Sequence, residues 1–198
     1  SPRVRIGLAP YSASVNLGPY AGIVSNGKSK DGCVIERKDG SFTDNATSPF
    51  AVKADATKSL GSYYCPRYDV LPITEDKDKV VDTVKQLTAW GGTAGHLGAQ
   101  WAWNLVSDKW ATTWGPDGAP DSYQRVVDGK LIKAVVLMTD GEFNTSYRGG
   151  TSPAQALALC TAMKAEGILV FSVGFGLGGN TTAINTLQNC ATPGPGYF

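Results

Sequence analysis

Histidine is nearly missing from this sequence: His96 is the single one among 198 residues. Conventional imidazole chemistry would have to run through it, and the chain has no Gly-x-Ser-x-Gly turn and no cysteine motif to supply a partner. None of the four cysteines forms a Cys-x-x-Cys, which removes zinc and thioredoxin-like readings. No apolar stretch approaches the roughly 18 residues needed to span a bilayer. No signal peptide is visible, and the chain opens Ser1-Pro2-Arg3 without methionine, so it reads as trimmed, with any targeting information outside it. An excess of charge is lacking too. Eighteen Lys plus Arg face seventeen Asp plus Glu, a net charge of +1. The basic stretch of Lys28, Lys30, Arg37 and Lys38 is broken by Asp31, Glu36 and Asp39, as in a solvated loop. Nothing here asks for nucleic acid.

What is present is globular: 42% hydrophobic and 18% charged residues, in a length that fits one domain with a real core. Three pairings of Cys33, Cys65, Cys160 and Cys190 exist on paper. Cys33 with Cys65 and Cys160 with Cys190 are favoured, because each pair brackets one contiguous stretch. Two such loops imply an oxidising compartment; four buried thiols of a cytosolic protein are the alternative.

Val4 to Leu8 reads as a short strand stopped by Pro10. Residues 26–69 then form a loop-rich insertion that the first cysteine pair would tie, with a possible short strand at 33–36. Val70 to Ile73 is a second apolar run. Thr74 is placed to cap a helix carrying Val80, Val81, Val84 and Leu87 on one face. A further helix starts after Thr93. Asp128-Gly129 signals a hairpin, whose second strand, Leu131 to Met138, is apolar enough to be covered by helices on both faces. Ser152-Pro153 opens a helix burying Ala156, Leu159, Cys160 and Met163; Ile168 to Val173 is a strand, and a last helix spans about residues 182–189. Alternating strands and helices argue for a parallel sheet.

Ligands of open parallel sheets gather at the carboxyl ends of the strands. Asp140, in Met138-Thr139-Asp140-Gly141-Glu142, directly follows an apolar strand, and Thr93 stands on a second turn, Gly91-Gly92-Thr93-Ala94-Gly95-His96. A carboxylate and a hydroxyl are a partial oxygen set for Mg²⁺, which keeps several waters and leaves positions for a partner's carboxylate. These two segments resemble the second and third loops of the metal-ion-dependent adhesion site of von Willebrand factor A domains. Several more phrases, among them VRIGLAPYSASVNLGPYA, GGTAGHLGAQWAWNLVSDKW, KAVVLMTDGEFN and CATPGPGYF, are similar to bacterial TadG-like proteins of Tad/Flp pilus assembly. Together they cover most of the chain outside the insertion.

The resemblance implies a three-layer αβα fold with a mostly parallel sheet of von Willebrand A (Rossmann-like) type, in one partial domain over 1–198. It implies a non-enzymatic adhesion or assembly module that contacts a protein partner, a pilus or cell-surface component. The setting it implies is extracytoplasmic, with membrane anchorage through a segment outside this chain. Mg²⁺, Ca²⁺ or Mn²⁺ would be held by Thr93 and Asp140, weakly, because the family's Asp-x-Ser-x-Ser loop and the strand before it should precede Val4. Their absence should leave a gap beside Val4–Leu8. Asp39-Gly40-Ser41-Phe42-Thr43 and Asp55-Ala56-Thr57-Lys58-Ser59 imitate that loop without its strand context.

Rival readings remain. A metal-independent structural module is one. A nucleotide-binding enzyme is another, since Gly174 to Gly179 matches Gly-x-Gly-x-x-Gly; yet no acidic residue follows Glu166 to hold a ribose. His96 either orients a metal ligand or is a hydrogen-bonded packing residue. The five tryptophans, all between Trp90 and Trp114, suit a core under a long loop better than a binding platform. The sequons at Asn45, Asn144 and Asn180 are read as chance.

Overall fold

The computed structural model describes residues 4–52 and 65–198; the Asp55–Ser59 imitation of the metal loop lies outside them. The chain forms a mixed α/β fold. In order come β1 (Ile6–Leu8), β2 (Val15–Asn16), α1 (Ala21–Val24), β3 (Cys33–Val34), β4 (Leu71–Thr74), α2 (Lys77–Gln86), α3 (Gly95–Val106), α4 (Ala111–Gly118), α5 (Gln124–Val127), β5 (Ala134–Thr139), α6 (Ser152–Ala165), β6 (Leu169–Gly174) and α7 (Thr181–Cys190). The strands pair two by two: β1 with β4 and β2 with β3 antiparallel, β5 with β6 parallel from Ala134↔Leu169 to Thr139↔Gly174.

The organising element is α3. It is buried on all sides except at Ala102 and Val106, including the polar stripe of His96, Gln100 and Asn104, whose side chains are hydrogen-bonded. Leu97, Trp101 and Leu105 face one core with Val15, Leu17, Phe50, Trp110 and Trp114. Ala99 and Trp103 face the other, with Val135, Leu137, Leu159, Met163 and Val170. The insertion joins this core through Val34, Ile35, Phe50 and Ala51, and the Phe50 ring lies 4.5 Å from that of Trp101, centroid to centroid. Four tryptophans are buried, and Trp90 alone stands out at 61% exposure.

Both favoured cysteine pairs are bonded, with Cα–Cα distances of 5.7 Å for Cys33–Cys65 and 5.0 Å for Cys160–Cys190. The second ties α6 to α7. Replacing Cys160 and Cys190 together by alanine is expected to lower the unfolding free energy by about 3–4 kcal/mol, the loop-closure value for some thirty residues. Urea denaturation at neutral pH measures it.

Four expectations need correction. Asp128-Gly129 makes no hairpin. Residues 124–127 are a helical turn, and Gly129, at φ 68°, closes it with Lys130 N–H donating to Arg125 C=O and Gly129 N–H to Val126 C=O. The same left-handed glycine signal serves hairpins and helix ends alike, and the flanking valines did not separate them. The cap of α2 is Asp76, which accepts from Lys79 N–H, while Thr74 Oγ1 accepts from Asp76 N–H. The cap of α6 is Thr151 rather than Ser152, whose hydroxyl is used elsewhere.

The fourth concerns β5, which is not covered on both faces. Its burial alternates: Val135, Leu137 and Thr139 are inside, whereas Val136 is 56% and Met138 49% exposed. Ile6 of β1, Val81 and Val84 of α2, and Leu87 just after α2 are exposed as well. A large parallel sheet is not seen among the described residues, because the β1–β4 and β5–β6 pairs do not join.

Candidate functional site

Between those pairs lies a slot of about 1410 Å³. Residues of β1 and β5 line it along both strands, Ala102, Leu105 and Val106 of α3 lie beneath, and Leu87 and Trp90 border it. Val4 to Leu8 all line this slot. Both walls run the same way. At one end Arg5 Nη1 donates to Ala119 C=O at 2.8 Å and Lys133 Nζ donates to Asp121 C=O, so both strands begin at one segment. At the other end Tyr11, three residues past β1, donates its hydroxyl to Met138 C=O at 2.6 Å.

That second end is the rim on which the sequence placed its candidates. Thr93 and Asp140, forty-seven positions apart, both line the mouth of the slot. Their loops are tied together: Asn144 Oδ1 accepts from Thr93 N–H at 2.9 Å, and Asn144 N–H donates to Thr93 C=O at 3.0 Å. Ala94 N–H donates to Ser12 C=O at 2.7 Å, which fastens the same turn to the segment after β1. The glycines make this closeness possible. A Cβ on Gly95 would enter the ring of Phe143, one on Gly98 the ring of Tyr11, and one on Gly92 the hydroxyl of Thr145. Gly98→Ala is expected to cost about 1–3 kcal/mol by overpacking the Tyr11 ring, readable as a lowered urea midpoint.

Tyr11 sits against this rim with its ring edge-on to Phe143, centroids 6.4 Å apart. Burial pushes its pKa up to about 12; the negative charge of Asp140 adds to the rise, and a hydrogen bond with Thr139 opposes it. Thr139 Oγ1 accepts from Gly141 N–H and holds the turn that presents Asp140 to solvent.

As a cation site the rim is incomplete. An exposed carboxylate and a threonine hydroxyl suit Mg²⁺ chemically, and most of an octahedral shell would be left to water or a partner. Among the described residues the one cluster of three metal-ligating groups is Asp31, Cys33 and Cys65, and there the two sulfurs are bonded to each other and are not thiolates.

His96 belongs to a different, buried arrangement that the sequence did not reveal. Its Nε2 is 2.9 Å from Glu36 Oε1 and its Nδ1 2.7 Å from Ser152 Oγ. Tyr147 N–H also donates to Glu36 Oε1, at 2.8 Å. Burial alone would raise the Glu36 pKa, but the bonds from His96 and Tyr147 outweigh it and hold the carboxyl below its ordinary value. Serine, histidine and glutamate in a row resemble a hydrolytic relay. Here Ser152 and Glu36 are 2% exposed and His96 1%, so no substrate reaches them. The trio pins the insertion to α3 and α6; of the two readings of His96, the packing one matches.

The glycine-rich turn after β6 is tied to its surroundings at both ends. Gly174 packs against Leu177 and Leu187, and Asn180 caps α7 through Ala183 N–H while its Nδ2 donates to Glu142 Oε2 at 3.2 Å. Asn45, a sequon residue, is buried and bonded to Ser107 and Lys109.

No protein-family model, no curated protein and no solved structure matches the chain.

Proposed function

We infer that this chain is a non-enzymatic adhesion or assembly module of von Willebrand A type, of the kind found in TadG-like proteins of Tad/Flp pilus systems. It works by contacting a protein partner at the rim formed by Thr93 and Asp140. The observation that carries the reading is the convergence of these two residues, on loops bonded through Asn144, at the strand-end mouth of one slot. A divalent cation there would be bound directly by the threonine hydroxyl and directly or through water by the carboxylate; when bound it would attract a partner's acidic side chain. The three-layer fold is part of the same proposal: α3 and α6 cover one face of β5, and the exposed Val136 and Met138 mark a face fit for a further layer. Two disulfides suit an extracytoplasmic setting, and no helix among the described residues is long and apolar enough to cross a membrane.

Titration calorimetry with Mg²⁺ tests the reading. Weak binding is expected, with its heat abolished in the Thr93→Ala, Asp140→Ala double variant; tight binding that survives both substitutions contradicts it. A metal-independent contact is the second reading. It is favoured by the backbone bonds that already lock Thr93 to Asn144, and partner binding unchanged in chelator would select it.

A further inference from the structure

Away from the slot, the insertion brings an amine, a carboxamide and a carboxylate into contact. Asn45 of the insertion is 1% exposed and meets the turn after α3, where Trp110 Nε1 donates to its backbone carbonyl at 3.0 Å. Lys109 Nζ donates to Asn45 Oδ1 at 2.7 Å. On the other side of the carboxamide, Asn45 Nδ2 donates to Ser107 Oγ at 3.0 Å and to Glu166 Oε2 at 3.2 Å. Glu166 Oε1 is 3.9 Å from the same Lys109 Nζ, and Trp103 Nε1 donates to Glu166 Oε2 at 3.3 Å. A carbonyl bond is about 1.2 Å long, so Asn45 Cγ lies within about 4 Å of the amine. A lysine and a glutamate at a surface make an ordinary ion pair. Here a buried carboxamide touches both.

We propose that Lys109 and Asn45 join in an intramolecular isopeptide bond, which the chain forms by itself with Glu166 as proton carrier. Glu166 takes a proton from the lysine ammonium, and the neutral Nζ attacks Asn45 Cγ. The Nζ–Cγ bond forms, Glu166 passes its proton to Nδ2, and the Cγ–Nδ2 bond breaks. The departing ammonia takes the surplus proton of the new amide. In balance, one ammonium and one carboxamide become a secondary amide and an ammonium ion, with no oxidant, reductant or co-reactant. Aminolysis of an amide by a free amine is slow, but well-oriented neighbours reach effective molarities of roughly 10⁵–10⁸ M. Burial of Asn45 keeps bulk water from Cγ, while Lys109, with its side chain 52% exposed, leaves the ammonium ion a way out. The Cys33–Cys65 disulfide closes the insertion only on itself; the isopeptide ties it to the segment after α3. The step uses neither the rim nor its cation.

Intact mass spectrometry of the whole purified chain, reduced and denatured after folding, tests the bond. The wild type is expected to be lighter than its sequence by one ammonia. Tryptic digestion should release one branched peptide that joins the segment of Asn45 to that of Lys109, with no cleavage after Lys109. Lys109→Arg, which keeps the cation but removes the amine, should show its full sequence mass, and so should Glu166→Gln. Asn45→Asp should be lighter than its own sequence by one water, because a carboxyl group joined to the same amine releases water instead of ammonia. A wild-type chain that keeps its full mass after prolonged incubation overturns the proposal. So does a missing ammonia that persists in Lys109→Arg, which would assign the loss to a cyclic imide at some asparagine. An undiminished bond in Glu166→Gln overturns the role of the carboxylate. The branched peptide is read from the wild type alone, so its presence or absence decides the matter even where a variant does not fold.

Discussion

Replacing Glu36 by alanine is expected to lower the unfolding free energy by about 3–5 kcal/mol, the range for breaking a buried polar pair from one side. The carboxylate serves two donors, His96 Nε2 and Tyr147 N–H, in a site closed to water. Alanine leaves both buried without an acceptor, and each orphaned group costs about 1–3 kcal/mol. Glu36→Gln keeps one acceptor oxygen and is expected to lose less than half as much. The pH dependence follows from the direction of the shift. The folded carboxyl titrates below its unfolded value of 4.5, so its stabilisation is complete above that pH and is lost as pH falls through the folded value. Urea midpoints measured between about pH 3 and 7 should therefore fall on the acid side in the wild type, and fall less steeply in Glu36→Gln.

Trp101→Ala is the second large effect, also about 3–5 kcal/mol. The indole is fully buried, with Phe50 at 4.5 Å, Trp110 at 5.3 Å and Trp114 at 6.0 Å, centroid to centroid. Removing it opens a cavity where the insertion meets α3. Trp101→Phe is expected to cost less. Nε1 of Trp101 is buried with no hydrogen-bond partner among the described residues, so phenylalanine removes an unsatisfied donor along with part of the ring. Chemical denaturation of both variants, with tryptophan fluorescence as the probe, reads the difference.

Local chemistry was legible from the sequence wherever it acts over a few residues. The helices of Gly95–Val106 and Ser152–Ala165 appear in the apolar spacing, β6 in an apolar run broken only by Ser172, and the apolar buried face of α6 residue by residue. The cysteine pairs were legible because each closes one contiguous loop. Thr93 and Asp140 could be placed at a strand-end rim because glycine turns and apolar strands flank them. What escaped was long-range or ambiguous. Glu36, His96 and Ser152 are 60 and 56 positions apart along the chain, and a glutamate inside a loop-rich, charged stretch gives no sign that it will be buried. Asp128-Gly129 failed because helix ends and hairpins ask for the same left-handed glycine. The apolar run of β5 was misread for a different reason: hydrophobicity reports what a face is suited to meet, and Val136 and Met138 are suited to a cover that the described residues do not provide.

That uncovered face and the rim above it carry the functional account, and the rim can be mapped directly. In amide spectra of the ¹⁵N-labelled chain, substoichiometric Mn²⁺ should broaden Thr93, Asp140 and their neighbours Ala94 and Gly141 first, and the broadening should disappear in the Thr93→Ala, Asp140→Ala double variant. Broadening centred away from this rim, or unchanged by the double substitution, would contradict the account.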